Sequence, residues 1–333
     1  MRKILDTTLR DGSYVVDFKI TQQQTYDICK SLDDLSFDYI EIGHGLGLHA
    51  GSFDHMRAGA TDEQYLEAAS SAITKAIWGS FFIPGIGRKA DIEMASRYKM
   101  PMIRIGANVN EFDRAEPFIR QAKSHGMMVC ANFMKTYALS YDEVGRIAKQ
   151  AADYGSDLVC IVDSAGAMLP NDVKGYVNSI RQYTDAKIGF HGHNNLGMAI
   201  WNSVTAYELG VDVIDTSLRG MGRSAGNTVT EIFLLTLKRL GYDLGYDIFR
   251  ILDVAEKFID PLMKDYKQVD SSSILCGYAK FHSSLQPKIE AYAAKYNIDY
   301  RKLIVELCEH TVLGAPDELL EQLSLALSRQ GAE

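Results

Sequence analysis

The chain has 333 residues, 47% of them hydrophobic and 23% charged, and its formal net charge is −8. These proportions are typical of a globular enzyme and exclude a disordered or low-complexity chain. The acidic balance argues against a nucleic-acid surface, because phosphate binding depends on clustered Lys and Arg. No apolar stretch has the length of a membrane helix or a secretory signal, so we expect no membrane contact and a cytoplasmic location.

Eight short apolar runs alternate with amphipathic helical patterns along the first 217 residues. The predicted strands are Lys3–Asp6, Tyr39–Gly43, Ile77–Phe82, Met102–Gly106, Met127–Ala131, Leu158–Asp163, Lys187–His191 and Val211–Ser217. The predicted helices between them are Thr21–Leu35, Asp62–Ala76, Ala90–Tyr98, Glu116–His125, Tyr141–Tyr154, Pro170–Tyr183 and Leu196–Leu209. Strict alternation favours a parallel sheet, and eight repeats predict an α/β fold, the closed (β/α)8 TIM barrel. A doubly wound sheet is the alternative, but Asp11-Gly12-Ser13 lacks its Gly-rich fingerprint.

The pattern changes after the eighth strand. Helices over Val229–Leu240 and Asp247–Phe258 are expected to close the barrel, and no clear strand follows Asp260. Because Pro261 is the strongest break nearby, we predict a catalytic barrel domain over residues 1–262 and a small all-helical C-terminal domain over 263–333. The predicted helices of the C-terminal domain are Ile274–Tyr296, Tyr300–Cys308 and Asp317–Ser328.

Chemically reactive side chains cluster at the carboxyl ends of the predicted strands, which is the face on which barrel enzymes place their active sites. His191 and His193 end the seventh strand, where residues two apart point the same way and lie roughly 6.5 Å apart. Asp11 follows the first strand and completes a set of two histidines and one carboxylate that would leave open positions on a divalent metal.

Arg10 and Glu41 are predicted to act together beside this metal. A guanidinium cannot be a metal ligand, so Arg10 would hold a substrate carboxylate or the developing charge on an enolate oxygen. Glu41 ends the second strand, where a buried carboxylate needs a cation, and Arg10 is the expected partner. A core carboxylate paired with another cation is the alternative.

Three further residues are candidates on the same face. Ser164 follows the sixth strand and would bind a substrate carboxylate, unless it only forms a turn. His44 opens a loop after the second strand and is a secondary substrate-binding candidate. Asn227 ends the Gly-rich segment Gly220–Asn227, where we expect it to support the metal or a water ligand; phosphate binding at the following helix and a purely structural loop are the alternatives.

These motifs together resemble the metal-dependent TIM-barrel lyases with an Asp-Arg-Glu-like signature on the first strand, a group related to HMG-CoA lyase and isopropylmalate synthase. Within that group the chain looks most like the 4-hydroxy-2-oxovalerate aldolases. The resemblance covers nearly the whole length and rests on Asp6–Gly12, Glu41–Gly45, Pro84–Gly87, Asp163–Gly166, His191–Leu196, Gly220–Gly222, Ala225–Asn227, Leu275–Ala279 and Leu303–Leu307.

The resemblance implies reversible cleavage of a 4-hydroxy-2-oxo acid to pyruvate and an aldehyde. It implies Asp11, His191 and His193 as ligands of Mn²⁺, with Mg²⁺, Co²⁺ or Zn²⁺ as alternatives. It further implies Arg10 as stabiliser of the pyruvate enolate and Ser164 as a contact of the substrate carboxylate. An acylating aldehyde dehydrogenase as partner, within a homo- or hetero-oligomer, is inherited from the resemblance alone.

Two departures from the aldolase pattern concern the acid and base. Tyr14 stands where these aldolases carry their catalytic histidine, and His282 stands where they carry an active-site tyrosine. If the two side chains meet above the metal, the same dyad survives in exchanged positions, with His282 as base and Tyr14 as relay or donor. The alternative is divergence, in which the original base is lost and the reaction has changed.

Other departures leave the substrate open. Arg104–Asn108 replaces a segment in which the aldolases usually have a histidine and a cysteine, and the loop Leu46–Gly51 also differs, so the acceptor aldehyde cannot be assumed. One rival function is a Claisen-type condensation of an acyl-CoA with a 2-oxo acid, which would share the metal site. A second rival is a non-catalytic homologue that binds a dehydrogenase.

Overall fold

The computed structural model describes residues 2–266 and 269–330, and its strands form a closed sheet of eight parallel strands. The strands pair in chain order, and β8 returns to pair with β1, with Lys3 opposite Val213. The predicted (β/α)8 barrel is therefore confirmed. The bounds are β1 Lys3–Asp6, β2 Tyr39–Ile42, β3 Ile77–Phe82, β4 Met102–Asn108, β5 Met128–Met134, β6 Leu158–Asp163, β7 Lys187–Gly192 and β8 Val213–Thr216.

A helix follows each strand, and the apolar core lies between the helices and the sheet. Three of these helices begin at a capping box, in which Thr21, Thr61 or Ser140 accepts a hydrogen bond from the third helical N–H. The bounds are α1 Gln22–Asp34, α2 Asp62–Ala72, α3 Lys89–Arg97, α4 Glu116–Ser124, α5 Tyr141–Tyr154, α6 Pro170–Tyr183, α7 Ala199–Glu208 and α8 Thr230–Arg239.

The chain continues as helices after the barrel. α9 covers Ile248–Val254 and leads through a π-helical turn, Ala255–Ile259, into α10, Asp260–Met263. Four helices follow and enclose a second apolar core that is separate from the core of the barrel. The predicted helical tail is present, while the domain boundary at 262/263 stays a prediction. The four helices are α11 Ser271–Ala279, α12 Gln286–Tyr296, α13 Tyr300–His310 and α14 Asp317–Gln330.

The single helix predicted over Ile274–Tyr296 is wrong. α11 ends at Ala279 because Lys280 adopts a left-handed conformation with φ 57°, and α12 restarts with Pro287 in its first turn. His282 therefore lies in the turn between two helices rather than on a helical face. None of the helices in the described part of the chain combines the length and apolar character needed to cross a bilayer.

Candidate metal centre and active-site cavity

The carboxyl ends of β1 and β7 bring Asp11, His191 and His193 together. One potential ligand atom from each side chain lies within 4.8 Å of the others, although Asp11 is 180 positions from His191 in the chain. All three side chains are buried, with 2%, 3% and 2% exposure. His191 lies on β7 and His193 directly follows its last residue, Gly192, so the alternation of side chains along the extended chain turns both imidazoles toward the barrel mouth.

Each imidazole is oriented by a hydrogen bond through its Nδ1 atom. His191 Nδ1 lies 3.0 Å from Asp215 Oδ2, and His193 Nδ1 lies 3.2 Å from the carbonyl oxygen of Gly226. These acceptors place the proton on Nδ1 and leave Nε2 of each ring as a lone-pair donor. Metal-binding histidines in proteins are held by such contacts.

The electrostatics keep Asp11 and His193 in their ligand forms. Burial alone would raise the pKa of Asp11, but the Arg10 guanidinium, with Nη1 at 2.6 Å from Oδ1, lowers it, so the carboxylate is ionised. Burial lowers the pKa of His193 to about 3, so its ring is neutral. One carboxylate and two imidazole nitrogens fit a divalent transition metal with open coordination positions.

Asn227 supplies an orphaned acceptor beside this set. Its Nδ2 donates to the carbonyl of Met221 at 3.3 Å, whereas its Oδ1 is buried and has no hydrogen-bond partner among the described residues. A backbone bridge links Asn227 to His193. Gly222 permits the approach, since a Cβ atom there would lie 2.4 Å from Asn227 Nδ2. A buried oxygen without a donor fits a cation or its water. The role expected of Asn227 from the sequence stays a prediction.

Buried ion pairs support the site from inside the barrel. Arg104, fully buried on β4, bridges Glu41 and Asp215, with Nη1 2.7 Å from Glu41 Oε2. Asp215 in turn holds His191, and Glu41 accepts a hydrogen bond from Arg10 Nε at 2.9 Å. The predicted pairing of Glu41 with Arg10 is thus present. The bridging role of Arg104 was not predicted, because nothing in the chain near position 104 indicates its two carboxylate partners.

Replacing Arg104 by methionine is expected to lower the free energy of unfolding by about 3 kcal/mol, because two buried carboxylates lose a shared cation. Urea unfolding followed by circular dichroism measures the change. The matched control is Arg120→Met, which removes an exposed arginine paired with Glu116 and should cost less than about 0.5 kcal/mol. Equal losses for the two variants would contradict the supporting role of Arg104.

A cavity of about 250 Å³ opens above the candidate ligands. This volume lies below the roughly 300–1,000 Å³ of sites for drug-sized ligands and suits a small oxo acid. Residues from the barrel and from the helical tail line it together: Arg10, Asp11, Tyr14, Gly45, Leu46, Phe81, Ile83, Asn108, Asn132, Met134, Lys135, Val162, Ser164, His191, His193, Arg223, His282 and Ser284.

Tyr14 and His282 enter this cavity from opposite parts of the chain. Tyr14 lies on a 3₁₀ turn after β1, and Gly45 allows its ring to approach, since a Cβ atom at Gly45 would lie 2.4 Å from the ring. His282 lies in the turn between α11 and α12. The described residues show no hydrogen bond between the two side chains; Arg223 lies between them, with Cζ 5.6 Å from the Tyr14 ring centroid and Nη1 3.3 Å from His282 Nδ1.

The pKa shifts of the two groups differ in direction. Burial, reinforced by the charges of Arg223 and Lys135, holds the pKa of His282 well below 6.5. Burial raises the pKa of Tyr14 above 10. At neutral pH the cavity therefore holds a neutral imidazole, which accepts a proton, and a neutral phenol, which donates one.

The remaining predicted residues differ in position. Ser164 lines the cavity, and its Oγ accepts a hydrogen bond from the backbone N–H of Lys135 at 2.9 Å. Glu41 does not line the cavity and lies behind Arg10. His44 lies outside as well: its ring stacks on Phe18, both nitrogens are engaged by backbone groups, and burial lowers its pKa to about 4.

Sequence reasoning missed Arg223 and Lys135 as cavity residues. Arg223 belongs to the segment Gly220–Asn227, in which the sequence analysis considered only the glycines and Asn227. Its position at the cavity depends on the fold of that loop. Lys135 follows β5, so its place after a strand end was the one available signal.

Comparison with known proteins agrees with this architecture. Residues 2–258 match the model of the HMGL-like family. The chain is 36% identical over 327 residues to 4-hydroxy-2-oxovalerate aldolase of Pelotomaculum thermopropionicum, covering 98% of this chain and 96% of that protein. The corresponding protein of Moorella thermoacetica is 37% identical, with coverage of 98% and 97%.

A solved structure supports the same assignment. The N-terminal domain of a provisionally named aldolase from Bacteroides vulgatus superposes with a TM-score of 0.72 at 26% identity, covering 93% of this chain and 97% of that one. The matches extend over both the barrel and the helical tail. The chain therefore belongs to the HMGL-like family and, within it, to the group of the 4-hydroxy-2-oxovalerate aldolases, which are carbon–carbon lyases.

Proposed function

We propose that the chain is a divalent-metal-dependent aldolase that cleaves a 4-hydroxy-2-oxo acid to pyruvate and an aldehyde, or runs the reverse condensation. The observation that carries this proposal is the convergence of Asp11, His191 and His193 in the cavity that also holds Tyr14 and His282. The names of the full-length relatives support the same chemistry.

Asp11, His191 and His193 would hold the metal, which we propose to be Mn²⁺; Mg²⁺, Co²⁺ and Zn²⁺ are alternatives for the same donors. An ionised carboxylate and two imidazole donors support this choice. When bound, the ion supplies Lewis-acid chemistry that polarises the keto oxygen of a 2-oxo acid. Asn227 Oδ1, for which the described residues supply no hydrogen-bond partner, would orient a water beside it.

Arg10 and Ser164 would bind the pyruvate half of the substrate. Arg10 uses Nε for Glu41 and Nη1 for Asp11, and its Nη2 makes no hydrogen bond within the described residues. This nitrogen would donate to the enolate oxygen as negative charge develops there. Ser164 Oγ would donate its proton to the substrate carboxylate, since the Lys135 N–H already occupies one of its lone pairs.

His282 and Tyr14 would move the protons. His282 Nδ1 is the lone-pair nitrogen of the neutral ring, since it accepts from the Arg223 guanidinium and from the backbone N–H of Ser284. This nitrogen would exchange one of these donors for the 4-hydroxyl group and accept its proton as the C3–C4 bond breaks. The electron pair of that bond passes to C3, and the aldehyde leaves. Tyr14, protonated at neutral pH, would then donate a proton to C3. Because no hydrogen bond joins the two side chains within the described residues, Tyr14 would regain a proton from solvent and His282 would lose one to it.

Removal of the metal is expected to abolish this activity reversibly. Purified protein is incubated with 4-hydroxy-2-oxopentanoate, and pyruvate is detected through lactate dehydrogenase. Dialysis against a chelator should remove turnover, and Mn²⁺ should restore it, because polarisation of the keto oxygen depends on the ion. Full turnover without metal, or the absence of pyruvate from any 4-hydroxy-2-oxo acid, would contradict the proposal.

The same assay separates the rivals. A Claisen-type condensing enzyme would release a free thiol from acetyl-CoA with a 2-oxo acid, which a thiol reagent detects, and would release no pyruvate from the hydroxy acid. A non-catalytic homologue would bind Mn²⁺ and turn over neither substrate. The presence of a neutral imidazole and a protonated phenol in one cavity favours the catalytic interpretation.

Arg223→Met is expected to move the acid limb of the pH profile of kcat/KM to higher pH. The charge of Arg223 helps to hold the pKa of His282 below 6.5, and a base works only when deprotonated. Removing the charge makes protonation easier, so the pKa rises toward 6.5 and the variant loses activity at a pH where the wild type is still active. Rates measured between about pH 5 and 8 would show the shift; an unmoved limb would exclude His282 as the titrating base.

We further propose a cytoplasmic location, a barrel domain ending near residue 262, and association into an oligomer that includes an acylating aldehyde dehydrogenase. Exposed apolar side chains around the tail support association: Phe249, Val269, Ile274 and Tyr278 are 75%, 60%, 47% and 69% exposed. Analytical ultracentrifugation of the protein at micromolar concentration tests self-association, and a strictly monomeric species would oppose it.

A further inference from the structure

The guanidinium of Arg223 lines the cavity and forms no ion pair within the described residues. Its Nη1 lies 3.3 Å from His282 Nδ1, its Nη2 donates to the carbonyl of Ser164 at 3.4 Å, and its Nε is buried without a partner. Among the described residues no carboxylate lies within 4 Å of its guanidinium. The carboxylate of Asp11 accepts from its backbone N–H instead.

Lys135 is a second cation of the cavity that lacks an ion pair within the described residues. It lines the same cavity, is 6% exposed, and its ammonium group donates to the carbonyl of Leu313 at 2.7 Å. It forms no ion pair with a carboxylate in the described part of the chain. The charges of Arg223 and Lys135 both lower the pKa of His282, so both cations act on the part of the cavity that holds this imidazole.

The buried arginines of this barrel are paired with carboxylates. Arg10 contacts Asp11 and Glu41, and Arg104 contacts Glu41 and Asp215. Burying a charge is costly unless an opposite charge accompanies it. Arg223 is half-buried with a buried Nε, Lys135 is buried, and neither forms an ion pair within the described residues. Two such cations facing a cavity beside a proposed base indicate that the anion comes with the substrate.

We propose that the aldehyde half of the substrate carries an anionic group, a carboxylate or a phosphate, that binds Arg223 and Lys135. This inference rests on the proposed aldolase function, because the position of the proposed base, His282, determines where the C4 end of the substrate lies. The 4-hydroxyl group must lie within hydrogen-bond reach of His282. The substituent is bonded to the same carbon, C4, so it lies close to His282 as well. Arg223, in contact with His282, is then placed to bind that substituent.

The proposed substrate is a 4-hydroxy-2-oxo acid with a second acidic group beyond C4. The 4-hydroxyl proton passes to His282, the C3–C4 electron pair becomes the pyruvate enolate, and the aldehyde leaves with its acidic group unchanged. The enolate then takes a proton at C3, so the products have the same atoms as the substrate. A neutral side chain at C4 would leave both cations without an anion.

The kinetic test compares aldehydes that differ mainly in charge, using Mn²⁺-loaded enzyme and pyruvate at about pH 8, where His282 is deprotonated in all variants. The pairs are succinic semialdehyde with butanal, glyoxylate with acetaldehyde, and glyceraldehyde 3-phosphate with glyceraldehyde. We expect kcat/KM to favour the anionic member of a carboxylate pair or of the phosphate pair by about tenfold or more, since charge-assisted hydrogen bonds are strong.

Arg223→Met and Lys135→Met are expected to reduce that anionic-to-neutral ratio by about tenfold each. The control Arg120→Met, on the exposed face of α4, should leave the ratio unchanged. A ratio near one for every pair in the wild type would overturn the inference. So would a ratio that the two cavity variants leave unaltered, because Arg223 would then only position His282 and Ser164.

A binding test makes the result independent of turnover. 2-Oxoglutarate and 2-oxopentanoate differ by a terminal carboxylate in place of a methyl group and, lacking a 4-hydroxyl group, cannot be cleaved. Calorimetry with the Mn²⁺-loaded protein should give tighter binding of 2-oxoglutarate, lost in Arg223→Met. Turnover of neutral aldehydes, with no tighter binding of 2-oxoglutarate, would contradict this inference but remain consistent with the aldolase function. Arg223-dependent binding of 2-oxoglutarate without turnover of any aldehyde would support the anion site and contradict the aldolase function.

Discussion

Replacing His193 by alanine is expected to weaken Mn²⁺ binding by on the order of 100-fold or more and to abolish aldol cleavage. Changes that only disturb the orientation of a metal-binding histidine cost 10- to 100-fold in affinity, and this change would remove one of three proposed ligands. The remaining carboxylate and imidazole, Asp11 and His191, would hold the ion poorly. Metal content after gel filtration and the shift of Tm on adding Mn²⁺ measure the loss.

The control for this variant is His125→Ala, which removes an exposed histidine that follows α4. It should bind Mn²⁺ and turn over substrate like the wild type. His193→Ala must also remain folded, which far-ultraviolet circular dichroism checks. A folded His193→Ala protein with unchanged affinity for Mn²⁺ would exclude the metal site proposed here, together with the mechanism built on it.

Replacing His282 by asparagine is expected to lower kcat by about 10²- to 10⁴-fold and to leave Mn²⁺ binding unchanged. Asparagine retains hydrogen-bonding capacity near Ser284 but cannot take up a proton. His282 is absent from the group of side chains whose ligand atoms converge, so the metal should remain. Pyruvate release in the coupled assay and metal content of the same sample give both readouts.

His310→Asn is the matched control, because this exposed histidine ends α13 of the same helical tail. If Tyr14 is the second member of the dyad, Tyr14→Phe should also lose activity while it binds Mn²⁺. Unaltered turnover in His282→Asn would reject the exchanged dyad and favour divergence. Loss of activity in His282→Asn alone would keep the histidine as base and remove the tyrosine from the proton path.

The two charged regions of the cavity have different tasks under this proposal. Arg10, compensated by Asp11 and Glu41, is held rigidly where charge develops on the enolate. Arg223 and Lys135 line the same cavity, form no ion pair within the described residues, and would receive charge that the substrate brings. A single cavity of about 250 Å³ thus separates the site of chemistry from the site of substrate selection.

Much of the fold and of the metal site was accessible from local patterns. Alternating apolar runs and amphipathic segments predicted the eight-stranded barrel, and the observed strands agree with it to within a few residues at each end. The two-residue spacing of His191 and His193 at a strand end, with Asp11 after the first strand, predicted the cluster that the structure brings together. Such signals are local because a strand fixes the direction of its own side chains.

The sequence by itself determined the barrel, the helical tail and the candidate ligands. Only the tertiary structure decided which charges are compensated: Arg104 meets its carboxylates 63 and 111 positions away, and Arg223 meets His282 across 59 positions. It also decided the break at Lys280 that turns His282 toward the cavity. Charge compensation depends on distances between chain segments that only folding brings together, so no local pattern contains it.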